Sequence, residues 1–499
     1  MTDGASERAR LAAARTARRE RAGRPTRADA AYLVYVGILV AAIAGVPVVR
    51  TIVLALATPE AVEALTRPAL AHIIGVLGAL LWLGALALGR VRGPIVPTPF
   101  TASVVGRSDI SPTRAWARRL TRATVSTVIL SGGFALLAVS GLLANGIAVG
   151  RCVAFAAGAA LFAVPAVGIW LAGQSLGRRG RGLLAAALIA QLIAVVADVP
   201  WTAASALGAL WSGSDAAAAL LVLGGLAIVA AALLPVLLGR LRPDSLEAHA
   251  TRWEAMTVLA ATGDLAGAAD RTRPLPTSGR RLRIAMNRPL LLAVLQRDAI
   301  GSVRTPMRFA VALVALAASG AGWAWLAGVG TGPRWVAAIS LGVIAYLALG
   351  ALMDGCREAA DAAGRPALYG GSAGRMLLLH LSWPALCAIV VPAAAAWGAG
   401  GDVMTPVAVL GALLVAVRAY DTTKGPLPIE LMMPVPTPAG DASAIGIWLW
   451  QSDALLWTAA LAFGALVAMS AGPLALLASA PVVIALGALT VGRLRRAAG

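Results

Sequence analysis

Arginine is the residue of this chain best placed to do chemistry. Arg107, Arg114, Arg118, Arg119 and Arg122 recur within sixteen positions, with Asp109 among them. Arg365 and Arg375 bracket a second, Gly-rich stretch, and Arg297-Asp298 and Arg304-Thr305-Pro306 form a third group. A guanidinium pairs readily with a carboxylate and gains geometric specificity by doing so. These clusters therefore suit docking against an acidic partner, or against lipid headgroups, better than bond-breaking work.

Groups that would break bonds are sparse. No HExxH occurs, and no close pair of carboxylates lies inside an apolar run. Cys152, Cys356 and Cys387 are far apart and odd in number, so neither a disulfide framework nor a zinc site is supported. His72, His249 and His380 are equally scattered and read as packed or interfacial residues. Lys424 is the sole lysine, in Thr423-Lys424-Gly425, with no glycine before it and no Ser or Thr after it. A P-loop needs both. The chain is therefore expected not to be an enzyme and to hold no cofactor, and any ATP and Mg would sit on another subunit.

The elements that must position these arginines are membrane-spanning helices. Of 499 residues 59% are hydrophobic and 13% charged, and the mean hydropathy is +0.81. Soluble domains carry roughly 25% charged residues, so lipid must be the solvent for much of this surface. About twelve apolar runs are long enough to span: 31–57, 68–89, 124–146, 151–173, 183–201, 216–239, 309–330, 334–354, 376–398, 403–418, 454–471 and 474–492. The gaps at 90–123, 174–182, 240–308, 355–375 and 419–453, with both termini, hold nearly all the arginine. The other gaps hold Arg67, Arg151 and Arg334 against Glu60, Glu63, Asp215 and Asp402. By the positive-inside rule both termini are cytoplasmic. The net charge of +19 is then a topology signal, and nucleic acid is not an expected partner.

The reading is all-α: a polytopic protein of about twelve transmembrane helices in two six-helix repeats, set in the plasma membrane. Residues 1–29 form a basic cytoplasmic segment, in which 5–22 could lie as an amphipathic helix on the inner leaflet. Residues 30–240 are the first six-helix half, 241–308 a cytoplasmic linker with an interfacial helix, and 309–499 the second half. Ser111-Pro112 can open a short amphipathic helix with its arginines on one face and Trp116 and Leu120 on another. The segment 200–215, uncharged until its end, could dip back into the bilayer. Arg50, Asp198 and Arg418 fall inside or at the ends of runs and are read as snorkelling outward.

The stretches GRSDISPTRAWARRL and GRPALYGGSAGRMLLLH, each after the second span of a half, together with the Arg-Asp and Arg-Thr-Pro group before the seventh span, resemble ABC-2-type exporter permeases. The resemblance is to the large actinobacterial kind with two six-helix halves. It implies a coupling helix in each loop that docks into a separate nucleotide-binding ATPase subunit, with Arg107, Asp109, Arg114, Arg118, Arg119, Arg365 and Arg375 as coupling residues. It implies an interfacial elbow helix carrying Arg297, Asp298, Arg304 and Pro306. The gap before the twelfth run is too short for a re-entrant segment, so the second half is not a full copy. An ion-coupled carrier using Asp198, and a non-transporting membrane scaffold, remain as alternatives. A second permease chain also stays open as a partner, beside the bilayer itself.

Overall fold

The computed structural model describes residues 27–261, 276, 278–285, 287–328, 334–365, 371–425, 427–433, 436–437, 440–441, 443–472, 475 and 478–498, with isolated positions 13 and 16. The amphipathic helix expected over 5–22 lies outside the described residues. Among them the chain is helical, save for one antiparallel pair of two-residue strands, β1 (Pro436–Thr437) and β2 (Gly440–Asp441). Ten helices are long and apolar enough to cross a membrane, or eleven if one bent pair counts as a single span. This is the architecture of a multi-pass membrane protein.

The difference from twelve has two physical sources. The eighth run is broken, since Arg334–Leu349 and Asp354–Asp361 meet at 65°. The last helix, Ala480–Ala498, carries Arg493, Arg495 and Arg496 in its final turns. Among the described residues its uncharged part, 480–492, falls short of the ~20 residues a hydrocarbon core requires.

The chain divides into two compact units, Met1–Ala255 and Met256–Gly499. In the first, α1 (Arg27–Val40) runs through a π-helical turn at Ala41–Gly45 into α2 (Val46–Leu56), and the short α3 (Pro59–Thr66) follows. Then come α4 (Pro68–Val91), α5 (Pro99–Gly106), α6 (Pro112–Ala144), α7 (Val149–Ser175), α8 (Arg178–Val196), α9 (Ala203–Ser212), α10 (Ala216–Gly239) and α11 (Pro243–Ala261). Helix α7 is the axis, packed against α4, α6, α9 and α10. Trp82 stacks on Phe162 at 4.5 Å, and Phe155 meets Trp211 edge-on at 4.9 Å.

Small residues allow the central crossing. A β-carbon on Gly173 of α7 would stand 3.0 Å from the Cα of Gly89 and 3.3 Å from the carbonyl carbon of Leu86, both on α4. The two backbones touch there, as small residues permit between membrane helices.

The second unit comprises α12 (Leu290–Arg304), α13 (Pro306–Ala327), α14 (Arg334–Leu349), α15 (Asp354–Asp361), α16 (Ala373–His380), α17 (Ser382–Gly398), α18 (Met404–Thr422), α19 (Ile429–Met432), α20 (Ser443–Ala471) and α21 (Ala480–Ala498). Its core is built on Leu316, Trp323, Leu349, Leu414, Val417 and Ala462, each at most 1% exposed. Gly320 and Gly411 seat α13 and α18 against the backbone of α17, at Pro392 and Ala388.

The α4–α7 contact makes a direct prediction. Gly173→Val should overpack the crossing and cost about 1–3 kcal/mol. A lowered thermal transition of the detergent-solubilised protein would show it, and an unchanged transition would contradict the backbone contact.

Candidate functional site

The loop after the second span of the first unit is a built structure. Leaving α4, residues 92–98 run extended, which strands their backbone groups at the end of an apolar bundle. Three side chains satisfy them. Gln174, 5% exposed, accepts from the Ile95 N–H at 3.3 Å and donates to the Ile95 carbonyl at 2.7 Å. The Trp170 indole N–H donates to the Arg92 carbonyl at 2.5 Å, and Arg119 donates to the Val96 carbonyl at 2.8 Å. Gly93 makes room for this pairing, because a β-carbon there would overlap the Gln174 amide and displace it. Thr98 then caps α5 by accepting from the Thr101 N–H at 3.4 Å.

A second apolar cluster lies beneath this loop. Ile95, Val105, Ile110, Trp116 and Leu120 pack with Val167, Leu171, Leu238 and Leu246. The arginines are placed around it. Arg107, its side chain 76% exposed, pairs with Glu247 of α11 at 3.5 Å. Asp109, Arg114, Arg118 and Arg122 are exposed, whereas Arg119 is turned in on Val96. Arg114 to Arg122 do not form a separate short helix. They are the opening turns of α6, a continuous 33-residue helix that runs on into the third span. The short helix of the loop is α5. Trp116 and Leu120 are buried at 3% and 5%, against the chain's own loop and α10.

Helix α11 straps this platform. Leu246 and Ala250 are buried at 2% and 1%, and Arg92 lies 4.0 Å over the Trp253 ring. His249 Nε2 stands 3.2 Å from the Arg90 carbonyl. Burial, with Arg252 nearby, pulls the His249 pKa below the ordinary imidazole value. The neutral ring therefore donates its Nε2 proton to that carbonyl.

In the second unit the Arg297-Asp298 group joins two elements. Helix α12 stops at Thr305, and Pro306 opens α13. Asp298 and His380, with side chains 6% and 3% exposed, meet at 2.7 Å. Arg297 lies 3.2 Å from His380 Nε2 and also pairs with Glu358. A guanidinium only donates, so Nε2 accepts and the imidazole proton sits on Nδ1, facing Asp298. Gly355 leaves room for this pair, since a β-carbon there would stand 2.6 Å from the Asp298 carboxylate. Nearby, Arg308 clasps Asp354 at 2.7 and 3.0 Å and donates to the Gly350 carbonyl at 3.1 Å. The Arg304 Nε is buried and has no hydrogen-bond partner among the described residues. Arg365 and Arg375 are exposed, on either side of residues 366–370 and beside α15 and α16.

Two groups lie elsewhere than expected. Arg418 does not snorkel. It is 8% exposed and turned inward, its guanidinium 3.6 Å over the Tyr346 ring and its Nε donating to the Tyr346 carbonyl at 2.8 Å. Asp198 lies beyond the end of α8, at φ 57°, with its side chain 94% exposed. It stands 3.6 Å from His72 at the rim of a cavity of about 420 Å³ that Ser205, Ser212 and Gly208 also line. Segment 200–215 contains α9, whose Ala204 and Leu210 are fully buried. The Trp211 indole donates to the Leu65 carbonyl at 2.8 Å, and Arg151 donates to the Trp211 carbonyl.

Sequence reasoning read His380 as a packed residue, which its 3% exposure bears out, but missed its partner Asp298, and it passed over Gln174 and the surroundings of Lys424. The lone lysine was the one available signal, a cation kept as lysine where every other is arginine. No group of three or more metal-ligating side chains occurs among the described residues. Comparison with family models, with curated proteins and with solved structures finds no match in any of the three.

Gln174→Leu keeps the bulk of the side chain and removes both bonds to Ile95. It should free residues 92–98, raising amide exchange at Ile95 by roughly the tenfold or more that a buried unpaired peptide group implies, with α7 itself unchanged. Equal protection in both proteins would show that the amide does not hold the loop.

Proposed function

We propose that this chain is the membrane-spanning permease subunit of an ABC-type exporter, powered by a separate ATPase subunit that brings ATP and Mg. The observation that carries this reading is the platform at 92–122. Arg107 at the end of α5 and Arg114 and Arg118 in the opening turns of α6 are exposed beside a loop that Gln174, Trp170 and Arg119 fasten to the spans. A loop held this firmly can pass a push from a docked partner into α4, α6 and α7, which a slack connector cannot.

The second unit offers a parallel route. Arg365 follows α15 and Arg375 lies in the first turn of α16, and the Asp298–His380 pair ties α16 to α12. The two-repeat reading is supported by a shared packing scheme. Taking α2, α4, α6, α7, α8 and α10 as spans one to six, contacts join one to three, three to four, two to four, two to five and four to six. The same five pairs are in contact when the six helices are α13, α14, α17, α18, α20 and α21, although α14 ends at a bend and α21 is short of apolar length. The arginine-rich loops would face the cytoplasm, with both termini on that side. The substrate would be amphiphilic, a peptide, lipid or antibiotic, because the spans offer apolar walls with few polar anchors. Asp198 itself, exposed beyond the end of its helix, is not the buried carboxylate that an ion-coupled mechanism would use.

The test is co-purification from native membranes. The wild-type chain should bring down a nucleotide-binding subunit. Arg107→Glu, Arg114→Glu and Arg118→Glu together should reduce its recovery by about tenfold or more, at roughly 0.5–1 kcal/mol for each exposed ion pair, while the permease stays monodisperse. Absence of any nucleotide-binding subunit with the wild type would overturn the proposal.

A further inference from the structure

We infer that the charge network around Lys424 is completed by the phosphate of an anionic lipid headgroup, held at Arg493. The inference stands apart from the transport reading and would hold for a scaffold as well.

The network gathers side chains from four helices of the second unit. Arg418, Tyr420 and Asp421 come from α18, with Lys424 just beyond its end. Tyr346 comes from α14, Trp450 and Asp453 from α20, and Arg493 from α21. Asp421 accepts from the Tyr346 hydroxyl at 2.8 Å and pairs with Arg418 at 3.1 Å and Lys424 at 3.9 Å. Asp453 pairs with Lys424 and accepts from the Tyr420 hydroxyl at 2.7 Å. The side chains of Arg418 and Lys424 are 10% and 8% exposed. With Arg493 the network holds three cations against two carboxylates.

The unmatched charge falls on Arg493. Its guanidinium donates to the Tyr420 carbonyl at 3.2 Å and the Tyr420 hydroxyl at 3.0 Å, and lies 4.1 Å from the Tyr420 ring and 5.2 Å from that of Trp450. Among the described residues no carboxylate forms an ion pair with it. An excess cation beside a largely buried network is costly unless an anion joins it. One monoanion balances the sum, and a phosphodiester matches the free edge of a guanidinium.

The flanks point to a lipid as its source. Arg495 and Arg496, both exposed, follow on the same helix. Before them on α21, Ile484, Leu489 and Val491 present 71%, 44% and 46% of their surface, an apolar face for acyl chains. Trp448 and Trp450 stand on α20 where a membrane interface favours tryptophan. Basic pockets between helices at such a boundary take anionic headgroups.

The experiment uses the full chain in nanodiscs of phosphatidylcholine with and without phosphatidylglycerol, followed by native mass spectrometry of the released complex and thermal melting. Wild type should retain phosphatidylglycerol and melt higher with it. Arg493→Gln should retain about fivefold less, the attraction of one arginine near a charged surface. Arg493→Lys should keep most of the effect, which a purely structural loss of the guanidinium stacking would not allow. Arg151→Gln, on the other unit, controls for general charge loss and should retain the lipid. Equal retention by wild type and Arg493→Gln would overturn the site. A melting rise with millimolar inorganic phosphate in phosphatidylcholine alone, lost in Arg493→Gln, would overturn the lipid as its source.

Discussion

The bilayer gives a backbone no water to bond with, and the rest of this structure follows from that. Every peptide group within the hydrocarbon must find its partner inside the protein, so the described residues are helical almost throughout. Where the chain must leave a helix, a side chain takes over the missing bond. Gln174 reproduces one rung of a β-ladder at Ile95. Arginine does the same for carbonyls: Arg119 at Val96, Arg151 at Trp211, Arg308 at Gly350, Arg418 at Tyr346 and Arg493 at Tyr420. With five donors in a rigid fork, a guanidinium can cap a carbonyl and still meet a carboxylate or a ring.

This gives the arginines two occupations. Some are structural caps turned inward, such as Arg119 and Arg418. Others, such as Arg107, Arg114 and Arg118, are exposed on a fastened platform. Sequence spacing cannot separate them, because Arg118 and Arg119 are neighbours on one helix yet only the second reaches back across 23 residues to Val96. The choice depends on which turn faces the loop.

The spans were legible because hydropathy acts over about 20 residues and needs no partner. The helix over 290–304 and its break at Pro306 were legible for a similar reason: Pro306 and the apolar positions of 290–300 are local signals. What escaped was non-local or short. The Asp298–His380 contact spans 82 positions and Tyr346–Asp421 spans 75, distances over which a sequence carries no pairing signal. The eight-residue α5 and ten-residue α9 are too brief for a periodic pattern. The opening turns of α6 read as a separate interfacial helix because their charge breaks the hydropathy run, although the hydrogen-bonded helix continues through them.

Lysine usage has a chemical consequence. Lys424 is the one lysine of 499 residues, and its side chain is 8% exposed, closed in by Asp421 and Asp453. The folded chain therefore shows solvent almost no side-chain amine. Acylating reagents and amine cross-linkers, which would decorate most proteins of this size, meet a surface of guanidinium groups that they do not modify, and their only side-chain target lies behind an ion pair.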